Sequence, residues 1–299
     1  MKKLLYLSGF LLVPVLLSGQ KPIEVSGTIF KLGQDEYSGV QVRIPETTWE
    51  RVSKMWIKEL EKGTKSKVAE DRQGEITIFG AYIKSLSEDP LNIYSQGIPR
   101  DSLVDLNVCI ELGRSEFITE ESYESEFNQL KEYLHDFGKE VYIEEVKDQL
   151  KSEEDVLKDL EKELKNIQND KESMEKKISK NEHDITVADD NIRVLDGDIA
   201  LKNEQLAQAK VRLSSVGNDP DRKKTLDDEI KDLEREKKKM QKSVEKEKKD
   251  IVGFESDIDN IKLEIPTNIE QQNQKMQEIE AQRSRVERFE TKLATVKDY

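Results

Sequence analysis

The chain has 299 residues, with 63 acidic against 49 basic side chains and a formal charge of −14 at pH 7. Charged residues make up 37% of it and aromatic ones 6%, too little apolar mass for one compact core, so much of the chain is expected to be elongated. The acidic balance argues against a phosphate-binding surface as the main role, and no nucleic-acid partner is expected.

Residues 1–20 read as a signal peptide. Lys2 and Lys3 form its basic end, and Leu4 to Leu17 is an apolar run too short to cross a bilayer as a helix. Leu17-Ser18-Gly19 offers small residues for cleavage. Gln20 stands where a lipoprotein needs cysteine, so the expectation is an exported protein, periplasmic or secreted, without a lipid anchor. No integral membrane segment is expected after signal removal.

Residues 21–137 read as a small α+β domain of order β-β-α-β-β-β-α, an antiparallel sheet with two helices on one face. Ile23, Val25, Gly27 and Ile29 alternate in a first strand, and Val40, Val42 and Ile44 in a second that Pro45 ends. Thr47-Thr48-Trp49-Glu50 fits a capping box with Thr47 as N-cap. The helix that follows carries Trp49, Val52, Trp56 and Leu60 on one stripe, which reads as core packing. Strands follow at Ile76 and Ile78, at Leu91 and Ile93, and from Leu106 to Leu112. A second helix, 123–137, presents Phe127, Leu130, Leu134 and Phe137. Cys109 is the only cysteine, so an intrachain disulfide is excluded. It shares a strand face with Asn107 and Glu111 and reads as a small residue on a half-covered sheet face. A catalytic thiol needs a nearby base, and the only histidines, His135 and His183, fall in helical segments.

Residues 138–299 read as an antiparallel coiled-coil hairpin with arms of about 139–216 and 221–298. One seam series is Leu150, Leu157, Leu164, Lys171, Ile178, Ile185, Ile192, Ile199, Leu206 and Leu213; its partner series runs from Val146 to Val216. The alternating spacing of three and four is that of a left-handed coiled coil. Gly217-Asn218-Asp219-Pro220 breaks the helix, and a second seam follows from Leu226 to Ile265. Facing residues should have numbers summing to about 439, which pairs Leu206 with Leu233 and Leu195 with Val244. Lys202 and Lys237 then share a layer and need acidic neighbours. Around Pro266 the pattern predicts a stutter (Ile261, Ile265, Ile269), a kink, and a weak seam through Gln272, Met276 and Ile279. Val187, Val194 and Leu201 recur every seven residues off the seam and are the candidate partner-contact residues.

Val25-Ser26-Gly27, Arg43-Ile44-Pro45 before the helix with Val52 and Trp56, Gly74-Glu75-Ile76, and the stretch from Glu144 through Leu164 resemble a family of uncharacterised exported proteins of Bacteroidota. That resemblance implies a signal peptide, a small α/β domain and a long coiled coil, and brings no activity or site residues.

No Gly-rich phosphate loop, Cys/His metal spacing or nucleophile–base set occurs, so no catalytic, metal or cofactor-binding residues and no cofactors are expected. The function expected is that of a non-enzymatic structural or interaction protein, its hairpin a spacer or partner-binding rod for the α+β domain, with a protein partner and a homo-oligomer both compatible. The alternatives are a periplasmic holdase-type chaperone, an activator of a cell-envelope enzyme, and a small-domain enzyme. A deep polar pocket between the sheet and residues 47–62 would favour the last.

Overall fold

The computed structural model describes residues 23–71 and 74–298. The signal-peptide expectation therefore lies outside the described residues. Contacts divide the chain into two units, one made of residues up to 155 together with those from 283, the other of residues 156–282.

In the first unit, β1 (Glu24–Leu32) and β2 (Asp35–Pro45) form a hairpin, followed by α1 (Trp49–Leu60). Then come β3 (Ala69–Glu70), β4 (Glu75–Ala81), β5 (Leu91–Arg100), β6 (Leu103–Gly113) and β7 (Glu116–Phe117). The sheet is antiparallel, in the order β1-β2-β6-β5-β4-β3, with β7 paired to β6. Successive strands pair as antiparallel neighbours except where α1 joins β2 to β3 at the opposite edge of the sheet. The two short strands β3 and β7 are additions to the expected order.

Helix α2 (Glu124–Ser215) is a single element of 92 residues and begins in this unit. The expected 123–137 helix and the first coil arm are thus one helix. Gly138 does not end it. A Cβ at Gly138 would come within 3.0 Å of Val42 Cγ2 and 3.2 Å of Ile23 Cγ2, so glycine lets the helix backbone lie close on the sheet. Phe127, Leu130, Leu134 and Phe137 join Val42, Ile44, Trp56, Leu106 and Ile110 in one buried cluster.

Both tryptophans of α1 pack on the sheet. Trp56 is fully buried, and its Nε1 donates to Ser95 Oγ (2.9 Å), which in turn donates to the Ile76 carbonyl (3.1 Å). A Cβ at Gly97 would fall 2.0 Å from the Trp49 ring, so that ring occupies the space a side chain would need. The N-cap of α1 is Thr48, whose Oγ1 accepts from Arg51 N (3.4 Å), and not Thr47. Glu46 adopts φ 53°, the helix starts one residue later than the capping-box pattern implied, and Thr47 is buried.

The last turns of α3 (Pro220–Asp298) also belong to this unit. Val296 and Leu293 pack on Tyr142 and Val146, and the Lys292 ammonium is bound to the Glu46 carboxylate, which also accepts from Tyr142 Oη.

The second unit is the helical hairpin of α2 and α3, turning at residues 216–219. Leu206, Ala209, Leu213, Ile230 and Leu233 form one cluster, as the sum of 439 requires. Lys202 does not confront a bare cation: its Nζ reaches Glu236 Oε2 at 2.7 Å, which holds that carboxyl below its ordinary value.

The stretch around Pro266 departs from expectation. α3 continues through Pro266, and the seam residues withdrawn from solvent are Ile258, Ile261, Ile265, Asn268, Gln272, Lys275, Ile279 and Gln282, with Glu278 half-buried beside them. Their spacing alternates three and four throughout, so there is no stutter. Ile269 and Met276, which the apolar pattern selected, lie outside the seam and are exposed. The supercoil keeps its geometry and accepts polar residues: Asn268 Nδ2 donates to the Ile167 carbonyl (2.9 Å), Gln272 Nε2 donates to Asn268 Oδ1 (2.7 Å), and Lys275 pairs with Glu163 and Glu278 (both 2.7 Å).

Candidate functional site

Strand alternation sends half of each strand to the sheet face opposite α1 and α2. On β6 those residues are Asp105, Asn107, Cys109 and Glu111, each paired with outward residues of β2 or β5. At one end Asp105, fully buried, accepts from Arg43 Nε (2.9 Å) and Arg100 Nε (2.6 Å), and Arg43 Nη1 also reaches Glu24 (2.7 Å). These bonds raise the Arg43 guanidinium further above its ordinary value, Asp105 being the main cause. In the middle, Gln41 Nε2 donates to Asn107 Oδ1 (2.9 Å).

At the other end lies an aromatic group. Tyr37 stacks on Tyr94 with ring centroids 5.7 Å apart, and Phe117 meets Tyr37 edge-on at 5.4 Å. Phe79 meets Tyr94 at 6.0 Å and is 59% exposed. Glu111 is tied down by Tyr94 Oη (2.9 Å), Asn92 Nδ2 (3.3 Å) and Ser115 N (3.0 Å), which holds its carboxyl below the usual range. Burial, followed by Glu111, pushes the Tyr94 phenol up to about 12.

Cys109 sits among these groups. The face was expected to be half covered, but Cys109 is fully buried, because large neighbours such as Tyr94 close over the small side chain. Burial and then Glu111 push its thiol up to about 12, so the thiolate is scarce at neutral pH.

A cleft of about 830 Å³ opens at the C-terminal end of α1, lined by Glu59, Lys62, Tyr82, Lys84, Glu88 and Tyr133 among others. Tyr133 Oη donates to Glu59 Oε1 (3.3 Å), and burial pushes that phenol up. The cleft does not lie between the sheet and residues 47–62, where the two tryptophans pack. Its lining holds no histidine or cysteine. Among the described residues, no group of three His, Cys, Asp or Glu side chains could hold a metal ion, and no helix is long and apolar enough to cross a membrane.

Of the candidate partner-contact residues, Val187 is 45%, Val194 66% and Leu201 56% exposed, all on α2 in the hairpin unit. Sequence reasoning missed the aromatic group on the sheet. Tyr37, Phe79, Tyr94 and Phe117 come from four strands, and no spacing along the chain joins them. The only sign was that Tyr37 and Tyr94 fall out of phase with the inward-facing aliphatics of their own strands.

No family model and no curated protein matches the chain.

Proposed function

We propose that this is an exported, non-enzymatic interaction protein, periplasmic or secreted and without a lipid anchor, in which the helical hairpin is a spacer or partner-binding element for the small α+β unit. The observation that carries this reading is the length of the two hairpin helices, α2 and α3, beside so small a sheet unit. One unbroken helix supplies Phe127, Leu130 and Leu134 to the sheet core and then Leu157, Leu164 and Ile178 to the hairpin seam. Two helices cover each other along one stripe only, so the hairpin leaves long helical flanks open to a partner. The resemblance to exported proteins of Bacteroidota agrees with this, and the exposed Phe79 and Val194 supply surfaces for a partner.

A photo-crosslinking residue at Val194 and another at Phe79, in the full chain within cells, tests the proposal. The expected result is a discrete adduct from at least one position, together with recovery of the protein from the envelope or medium. Cytoplasmic recovery with no adduct from either position would reject it. Suppression of client aggregation by the purified chain would instead support the holdase reading.

A further inference from the structure

The two flanks of the hairpin differ in charge. Two ion pairs between the arms identify them: Arg212 Nη2 to Glu229 Oε1 (2.6 Å) and Lys210 Nζ to Glu234 Oε1 (3.5 Å). Steps of seven residues along each arm give the positions that face one another across each flank. From Lys210–Glu234 the next pairs are Asn203–Gln241, Asp196–Lys248, Asp189–Glu255 and Glu182–Lys262, so opposite charges meet at several levels.

From Arg212–Glu229 they are Gln205–Glu236, Asp198–Ser243, Asn191–Asp250 and Asp184–Asp257. That row holds five carboxylates and no cation. Lys202 reaches Glu236 from the seam (2.7 Å) and Lys180 lies 3.8 Å from Asp184, while Asp198, Asp250 and Asp257 form no ion pair among the described residues. The next level, Lys177–Glu264, is again complementary.

The acidic stretch coincides with the exposed aliphatic row. Val187, Val194 and Leu201 stand three residues beyond Asp184, Asn191 and Asp198, on the same side of α2. Of the positions three or four residues from any of them, none is lysine or arginine and four are acidic: Asp184, Asp198, Glu204 and Asp190, the last paired with Arg193 (3.0 Å). Gly197 lies beside the row, three residues from Val194 and four from Leu201, and a Cβ there would meet nothing within 4 Å, so no side chain crowds the row on that side. The cations on this side of α3, Lys239 and Lys246, stand one step outside the acidic row.

We infer that this flank docks an amphipathic helix of a partner protein, one that sets an aliphatic row against Val187, Val194 and Leu201 and lysine or arginine side chains against the carboxylates. Helix-in-groove recognition uses this spacing, and the unmatched carboxylates select the charge. A second copy is a poorer occupant, because the same flank turned on itself sets carboxylate against carboxylate. The inference rests on the proposed interaction role and adds the chemistry of the partner.

The test uses the full chain and two synthetic stapled helices of about three heptads, alike in leucine positions but flanked by lysine in one and glutamate in the other. Anisotropy should show the lysine helix bound at least about 10-fold tighter than the glutamate helix. Val194→Asp and the double variant Asp198→Lys/Asp250→Lys should each weaken it about 10-fold, while Leu263→Asp, an exposed position elsewhere, should not. Circular dichroism should show unchanged helicity in all three variants.

Equal binding of the two helices overturns the inference, as does lysine-helix binding that ignores Val194→Asp. Self-association that Val194→Asp abolishes would replace the partner with a second copy. A cellular adduct at Val194 without lysine-helix binding would overturn this inference alone and leave the interaction role standing.

Discussion

The sheet core and the hairpin seam use the same aliphatic residues but shield them unequally. Val42, Ile44, Ile78 and Leu106 are wholly removed from water between the sheet and its helices, whereas Leu157, Leu164, Ile178 and Ile185 are only half-buried. Two helices can cover each other along one stripe only, so every layer of the hairpin stays open at its flanks. The core therefore concentrates its stability in a few enclosed side chains. The hairpin spreads it over many weak layers and can hold Asn268, Gln272 and Lys275 in the seam without losing its register.

The largest effect should follow from opening the core. Trp56→Ala is expected to cost about 3–5 kcal/mol in urea unfolding, against about 1–2 kcal/mol for Ile185→Ala in the seam. Equal costs would break the contrast. Asp105→Ala should come next, at about 2–4 kcal/mol by the same measurement, because it leaves Arg43 and Arg100 without the buried carboxylate that holds both. A neutral result would make that pair of bonds ornamental.

In the hairpin the sign should reverse. Asn268→Leu is expected to raise the thermal midpoint, by about 1 kcal/mol in stability, since it trades a polar layer for an apolar one at an unchanged register. A lower midpoint would show that the bond to the Ile167 carbonyl outweighs burial.

The smallest effect concerns Cys109. Its thiol in the folded chain is pushed up to about 12, while in the unfolded chain it loses its proton near about 8.5. Between those values the unfolded state binds fewer protons, so stability is full below about pH 8.5 and falls as pH rises beyond it. Urea midpoints at about pH 7.5 and 9 should draw together in Cys109→Ala relative to the parent chain. An identical drop in both would assign the loss to other groups.

The seam of α2 was legible residue by residue from Val146 to Leu213, because a seven-residue spacing is a property of the backbone period and needs no partner to define it; Val216, also expected in it, falls in the turn. The same reasoning failed after Pro266, where it followed the apolar Ile269 and Met276 instead of the register. Across the seam, Leu164 and Ile167 of the other arm hold the register and leave Asn268 and Lys275 facing inward. Thr48 displaced Thr47 as the cap of α1 for a comparable reason: the positive φ of Glu46 belongs to a turn whose amide bonds to the distant Ser102 carbonyl (2.8 Å). The candidate partner row at Val187, Val194 and Leu201 was readable from its spacing, but the acidic flank beside it needed the pairing of α2 with α3.

By itself the sequence determined that an α+β unit precedes two heptad-bearing helices that turn back near Pro220, since alternation, heptads and turn formers are all local periodicities. Only the tertiary structure decided that α2 runs unbroken past Gly138, that polar side chains enter the seam, and that four strands assemble one aromatic group on the sheet. Each of those depends on residues far apart in the chain meeting at van der Waals distance, which no local period records.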